Sequence, residues 1–211
     1  MGIQQWYDAK ILPGVIKLAC SQGQIMKHRA KVVPLASGAV FELGCGGGIN
    51  QEMYDPSLIT SYAGIDPHEG LLETTRQQAG RLGTNVDIRQ GVGEDIPFPS
   101  SSFDTVVCTY TLCSVEDPNK VMSEMRRILK PNGRLLFLEH GRAPDADVAK
   151  WQSRIEPVWK HIAGGCHLTR PIGPELRGAG FDVEPLGQGY IPKTPRFAGW
   201  NEWGIARKAG A

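Results

Sequence analysis

The sequence predicts one α/β domain, a Rossmann-like, seven-stranded and mostly parallel sheet with helices on both faces, preceded by an N-terminal helical lid. Three observations carry this expectation. Short apolar runs of strand type alternate with longer amphipathic runs of helix type, as in a parallel sheet covered on both sides. One strand run leads directly into a loop with glycine at Gly44, Gly46 and Gly48, and an acid, Asp66, closes the next run. The chain has 211 residues, 41% hydrophobic and 21% charged, enough for one domain at the usual roughly 100–200 residues per domain. The expected division is a lid segment over 1–38 and the sheet over 39–211, together one compact unit.

The first forty residues stand outside the alternation. They read as two helices, over 3–19 and 22–33, the first with a broad apolar face (Trp6, Tyr7, Ile11, Leu12, Val15, Ile16) broken by Pro13 and Gly14. A lid over a ligand site, a contact with a bilayer surface and plain packing on the sheet all fit such a face. The expected strands then follow over 39–43, 62–65, 86–89, 105–108, 134–138, 181–185 and 203–206. Helices are expected over 70–82, 118–129 and 174–179. Asp117-Pro118 is a helix start, with Asp as N-cap and Pro in the first turn, and Pro131-Asn132-Gly133 reads as a stop followed by a tight turn.

Net charge is +1, which argues against a nucleic-acid partner. The short basic stretch Lys27-His28-Arg29 with Lys31 reads as a solvated helix face or as a contact for phospholipid headgroups or an anionic substrate. The five cysteines include no C-x-x-C pair, so a disulfide framework is not expected. Nor is a metal, because Cys113, Cys166 and His167 lack the usual short ligand spacing. With no signal-peptide pattern and no apolar run near the ~20 residues of a membrane span, a cytoplasmic location is expected.

The glycine loop permits positive φ and removes Cβ atoms, so a ligand can approach the backbone closely; a purely structural tight turn uses the same residues. Asp66 lies 18 residues beyond Gly48, where the end of the second strand comes beside that loop and a carboxylate can accept from both ribose hydroxyls. Its alternative role is to cap the helix that follows Pro67.

Residues 40–139 add specificity. VFELGCGGG, GIDP and GEDIPFPSSSFDTVVCTYTLCSVEDPNKVMSEMRRILKPNGRLLFLEH occur in this order, and the stretch resembles the class I S-adenosylmethionine-dependent methyltransferases related to the ubiquinone and menaquinone C-methyltransferases. The resemblance implies that Glu42 and the backbone of Gly44, Cys45, Gly46 and Gly48 face the methionine part of S-adenosylmethionine, with S-adenosylhomocysteine as product. It implies that Asp66 with Pro67 takes the ribose, that Gly93 and Glu94 flank the adenine, and that Thr109 and Tyr110 line the wall near the sulfonium. Val92-Gly93 stands where many relatives have Asp-Ala, which leaves the Gly93 amide as the adenine contact.

Further on, Cys108–Val115 and the stretch from Ile155 to Arg170 resemble the methyltransferase-like-seven group of thiol S-methyltransferases. This likeness covers about residues 40–183 and stops short of the N-terminus, where those relatives carry a membrane anchor that this chain is expected to lack. A small, fairly apolar acceptor is implied, a thiol first, with a phospholipid amine or a quinone-type ring carbon as alternatives. A cofactor-binding module without catalysis is the reading from another class. A thiol needs help losing its proton; His140, closing the fifth strand, is the candidate base, and Tyr110 is the other catalytic candidate. Tyr7, Cys113, Trp159 and His167 are the acceptor-side candidates. Each histidine also admits a purely structural role, and Trp151 with Trp159 reads more simply as a core stripe than as an aromatic box.

Overall fold

A computed structural model describes residues 22–210. The helix expected over 3–19, with Tyr7 in it, lies outside the described residues, as does Cys20. Helix α1 (Gly23–Arg29) leads through a 3-10 turn at Val33–Leu35 into β1 (Gly38–Leu43). Then come β2 (Ile59–Asp66), α2 (Glu69–Ala79), β3 (Asn85–Gln90), β4 (Phe103–Thr109), α3 (Pro118–Ile128) and β5 (Leu129–His140). The chain finishes with α4 (Ala146–Ile162), α5 (Ile172–Gly178), β6 (Phe181–Tyr190), a short α6 (Arg196–Gly199) and β7 (Trp200–Lys208).

The strands form one seven-stranded sheet in the order β3-β2-β1-β4-β5-β7-β6, with β7 antiparallel to both neighbours. All seven expected strands are present, each longer than its apolar run. The central strands are buried on both faces because neighbouring residues serve opposite layers. Phe41, Val106 and Phe137 pack with Val121, Met122 and Met125 of α3 and Leu176 of α5. Val40, Val107 and Leu136 pack with Leu72 of α2 and with Val32 and Val33. After β1 the chain builds the sheet one way through β2 and β3; from β4 it builds the other way. That reversal leaves a crevice beyond the carboxyl ends of β1 and β4, the place where open α/β sheets take ligands.

Several local expectations change. Asp117 does cap α3, its Oδ1 accepting from Lys120 N at 3.1 Å. Pro131-Asn132-Gly133, however, lie inside β5 as an irregularity in its pairing with β4 rather than as a separate turn. The helix expected over 22–33 is shorter: past Arg29 the chain tightens into i+3 bonds, Lys31 N to His28 O and Val32 N to Arg29 O, and runs on as the 3-10 turn.

Helix α4 was not legible because it carries Pro157 inside its run, a residue that ordinarily breaks a helix. It buries Val148, Ala149 and Gln152, whereas Trp151 is 57% exposed. The stripe reading therefore fails at Trp151. Eight residues of α-helix leave two side chains about 80° apart, and Trp159 turns instead onto Phe197, ring centroids 5.7 Å apart.

Candidate functional site

At the crevice the chain encloses a cavity of about 500 Å³, within the usual size of a small-molecule site. Its floor is the loop after β1. Gly44, Gly46 and Gly48 all have positive φ, at 70°, 46° and 74°, but they serve different ends. A Cβ on Gly44 would strike Thr111, and one on Gly48 would strike Gln78 of α2, so both are needed for packing. Gly46 is different: its Cβ would meet nothing nearer than Asp66 Oδ2 at 3.6 Å, so the space it leaves belongs to the cavity. Gly48 does not border that space.

The loop amides are largely spoken for. Gly44 N and Cys45 N donate to Ile65 O at 2.9 and 3.0 Å, and Gly46 N donates to Asp66 Oδ2 at 3.0 Å. What the loop offers a ligand is the absence of side chains. Asp66 ends β2 beside it, its other oxygen accepting from His68 N at 2.9 Å. Asp66 is not the cap of α2, whose N-cap is His68 without a side-chain cap bond; it holds the His68 amide ahead of the helix and borders the cavity with Pro67 and His68. Burial lifts its pKa above the ordinary value, with the amides of His68 and Gly46 pulling the other way.

Beneath the loop lies a buried polar network that the sequence alone did not reveal. Glu42 accepts from Asn50 Nδ2 at 2.9 Å, Tyr54 OH at 2.7 Å and Tyr62 OH at 2.6 Å. Arg29 Nη1 donates to Asn50 Oδ1 at 2.8 Å and Thr109 Oγ1 at 2.6 Å. Thr109 also accepts from Asn50 Nδ2 at 3.0 Å. The basic stretch is therefore split: Lys27 and Lys31 are exposed, while Arg29 is 4% exposed and borders the cavity. Burial holds the Glu42 carboxyl above its ordinary pKa, although the tyrosines, Arg29 and Asn50 favour the anion.

Across the cavity, Gly93 is buried between Val121 and Leu43, whose side chains would lie 3.1 and 3.2 Å from an added Cβ. That explains glycine at this position: this wall of the cavity is filled from behind. Glu94 borders the cavity and accepts from Glu116 N and Asp117 N at 3.0 and 3.1 Å, tying two wall segments together. Tyr110 leaves β4 with φ 55°, a costly region for a non-glycine residue, held by its amide's bond to Leu138 O at 2.8 Å. The Arg29 guanidinium lies 5.0 Å from its ring centroid. The turn that follows is organised by fully buried Glu139, which accepts from Thr111 N at 2.9 Å, Leu112 N at 3.1 Å and Cys113 N at 3.4 Å.

The cavity thus gathers Glu42, Gly44, Cys45, Gly46, Asp66, Pro67, Gly93, Glu94, Thr109 and Tyr110. His140, Cys113, Trp159 and His167 are not among its lining residues. His167 pairs with Glu156 at 3.1 Å, a carboxylate that also accepts from the amide and hydroxyl of Thr169. That pair braces the loop after α4, and Trp159 packs on the far side against Phe197. His140 Nε2 meets Cys166 Sγ at 2.6 Å instead of facing the cavity, and Cys113 completes that cluster. The histidine that joins the two cysteines is thus His140 at the strand end, not His167.

Comparison with known proteins places this arrangement. The methyltransferase domain family matches residues 41–137. The human thiol S-methyltransferase TMT1B is 38% identical over 173 residues, spanning 78% of this chain and 71% of that protein. Its rat counterpart is 36% identical over 167 residues, 76% of this chain and 68% of its own length. Among solved structures, a SAM-dependent methyltransferase from Thermotoga maritima, described as a possible histamine N-methyltransferase, superposes with a TM-score of 0.67. The overlap covers 100% of both chains at 19% identity, a likeness of fold.

Proposed function

Because the chain belongs to the class I S-adenosylmethionine-dependent methyltransferases, in the family of the thiol S-methyltransferases, we propose that it methylates the sulfur of a small, fairly apolar thiol. The observation that carries the methyl-transfer reading is the joining of the Gly46 gap, Asp66 and Glu42 around one cavity. The residues present fit the cofactor. Gly46 leaves a cradle that a Cβ would fill, and each Asp66 oxygen has one backbone donor, leaving acceptor capacity for ribose hydroxyls. Glu42 offers a carboxylate to an ammonium group. When bound, S-adenosylmethionine supplies an electrophilic methyl group on a sulfonium.

The rest of the work falls to the chain. Leu43, Ile49, Ile65, Leu71, Val92 and Val115 give the cavity apolar walls that exclude water, and Tyr110 and Thr111 shape the wall after β4. The acceptor sulfur takes the methyl group and gives up its proton, so its thiolate fraction, small at neutral pH for an ordinary thiol, must be raised. The choice of a thiol is supported by the similarity to TMT1B. Net charge of +1 supports a small molecule over nucleic acid.

A phospholipid amine is the second reading, favoured by Trp151, Val158 and Ile162, which leave one side of α4 apolar and exposed. Such a face suits a peripheral membrane contact; no helix among the described residues is long and apolar enough to cross a membrane. Purified protein with cofactor and three acceptors (an alkyl thiol, phosphatidylethanolamine vesicles and a polyprenyl quinone precursor) separates the readings. The thioether is the expected product, and methylation of the amine alone overturns the thiol assignment.

Two predictions test the cofactor side. Asp66→Ala is expected to weaken S-adenosylmethionine binding by about 1–3 kcal/mol, roughly 5- to 150-fold, as read by calorimetry; unchanged affinity would remove Asp66 from the site. The second concerns pH. An ammonium-bearing ligand selects the Glu42 anion, whereas burial makes the free protein hold the proton to a higher pH than an exposed glutamate does. Affinity should therefore rise as pH climbs through the raised Glu42 pKa and level off above it, with a proton released on binding. Glu42→Gln should flatten that profile, and an identical pH dependence in the variant argues against the pairing.

A further inference from the structure

We propose that Cys113, His140 and Cys166 form a three-ligand site for a soft divalent cation of the zinc type, placed behind the cavity wall with its fourth position available to the acceptor thiol. The assignment rests on convergence from three distant parts of the chain. Cys113 sits in the turn after β4, His140 is the last residue of β5, and Cys166 follows α4. Their ligating atoms all lie within 4.8 Å of one another. Metal–ligand bonds of about 2.3 Å to sulfur and 2.0–2.1 Å to nitrogen set tetrahedral ligand atoms roughly 3.5–3.8 Å apart. The cluster brackets that spacing, and the 2.6 Å approach of His140 Nε2 to Cys166 Sγ has to open by about 1 Å.

The three side chains are held in place by their surroundings. Glu139 fixes the turn that carries Cys113 through the amides of Thr111, Leu112 and Cys113 itself. Consecutive left-handed glycines, Gly164 and Gly165 at φ 61° and 78°, reverse the chain after α4 and bring Cys166 inward. The Cys166 and Cys113 segments are then joined by His167 N donating to Cys113 O at 2.7 Å. Arg170 adds donation to Leu112 O and to Val115 O. Two thiols and an imidazole brought together by long-range packing, with no fourth ligand side chain among the described residues, match the Cys2His pattern of catalytic zinc sites, which keep one position open.

Both sulfurs are buried, at 2% and 8% exposure, where two thiolates would be costly without a cation. On metal binding the two cysteine protons leave to solvent and the cation balances the charge.

The site adjoins the cavity through Ser114 and Gly164, which line it; Ser114 Oγ lies 3.5 Å from Cys113 Sγ. A thiol reaching the fourth position forms a sulfur–metal bond as its S–H bond breaks and the proton passes to water. This part of the proposal rests on the S-methylation reading, and it assigns the raising of the thiolate fraction to the cation in place of a free His140 base.

Cobalt(II) titration of the reduced, chelator-treated full chain tests the site without turnover. One equivalent should give tetrahedral visible bands and near-ultraviolet thiolate charge transfer, both lost in Cys113→Ser and in Cys166→Ser. Adding an alkyl thiol should shift the charge-transfer band. Absence of the bands in the folded wild-type chain, or their survival in both variants, overturns the metal site; an unmoved band with thiol present overturns the fourth-position assignment. Thiol methylation at an undiminished rate in metal-free protein would sink the catalytic role while sparing the S-methylation reading. A cobalt spectrum in a chain that methylates no thiol would do the reverse.

Discussion

Gly46→Val is expected to weaken S-adenosylmethionine binding at least about 100-fold, roughly 2.7 kcal/mol, while the chain still folds. A valine Cβ at this position meets no protein atom closer than 3.6 Å, so the side chain has somewhere to go, and that place is the cavity floor. The folding cost comes from φ 46°, a left-handed conformation that costs a non-glycine residue about 1–2 kcal/mol. A melting temperature lowered by roughly 2–8 °C follows for a domain of this size. Calorimetry on the folded variant gives the answer: binding within tenfold of the parent would mean that the loop is a turn and that the ligand lies elsewhere. Gly44→Val is the instructive contrast. There the added atoms strike Thr111, and the expected loss is of stability first.

Glu139→Ala is expected to lower stability by about 2–4 kcal/mol, a fall of roughly 4–16 °C in Tm. Glu139 is fully buried, and its carboxylate receives the backbone N–H groups of Thr111, Leu112 and Cys113. Alanine removes the acceptor and leaves those donors in a place water reaches poorly, so each incurs its desolvation cost. An opposing contribution exists, because burial raises the Glu139 pKa and deleting the group relieves the expense of burying its charge. Three lost hydrogen bonds outweigh it. Thermal unfolding monitored by circular dichroism checks the value, and a Tm within a degree or two of the parent would show that the turn after β4 holds its shape by packing alone. Glu139→Gln should recover part of the loss, since its amide oxygen keeps an acceptor facing Thr111 and Leu112 while its NH2 group confronts Cys113 N.

The sheet was legible because its central strands are local apolar runs and its outer strands β3 and β6 carry shorter alternating ones, and the loop after β1 because glycine at Gly44, Gly46 and Gly48 leaves a mark independent of the rest of the chain. Asp66 was legible for a related reason, since a βαβ unit returns the end of the second strand to the first loop at a predictable distance. Arg29 was not. It looked like one member of a basic helix face, and only the packing of α1 against the sheet carries it to Thr109, 80 residues away. The same holds for Glu139, whose partners lie 26–28 residues earlier, and for α4, whose helical period Pro157 conceals.

From the order of its residues alone, this protein declares a Rossmann-like sheet, a glycine-rich loop and an acid ending the second strand beside it, because backbone propensity and short-range spacing determine all three. Tertiary packing decides which buried charges meet beneath that loop, and whether His140 faces the cavity or two sulfurs. Those outcomes depend on where separate strands and helices finally come to rest, which no local window of sequence contains.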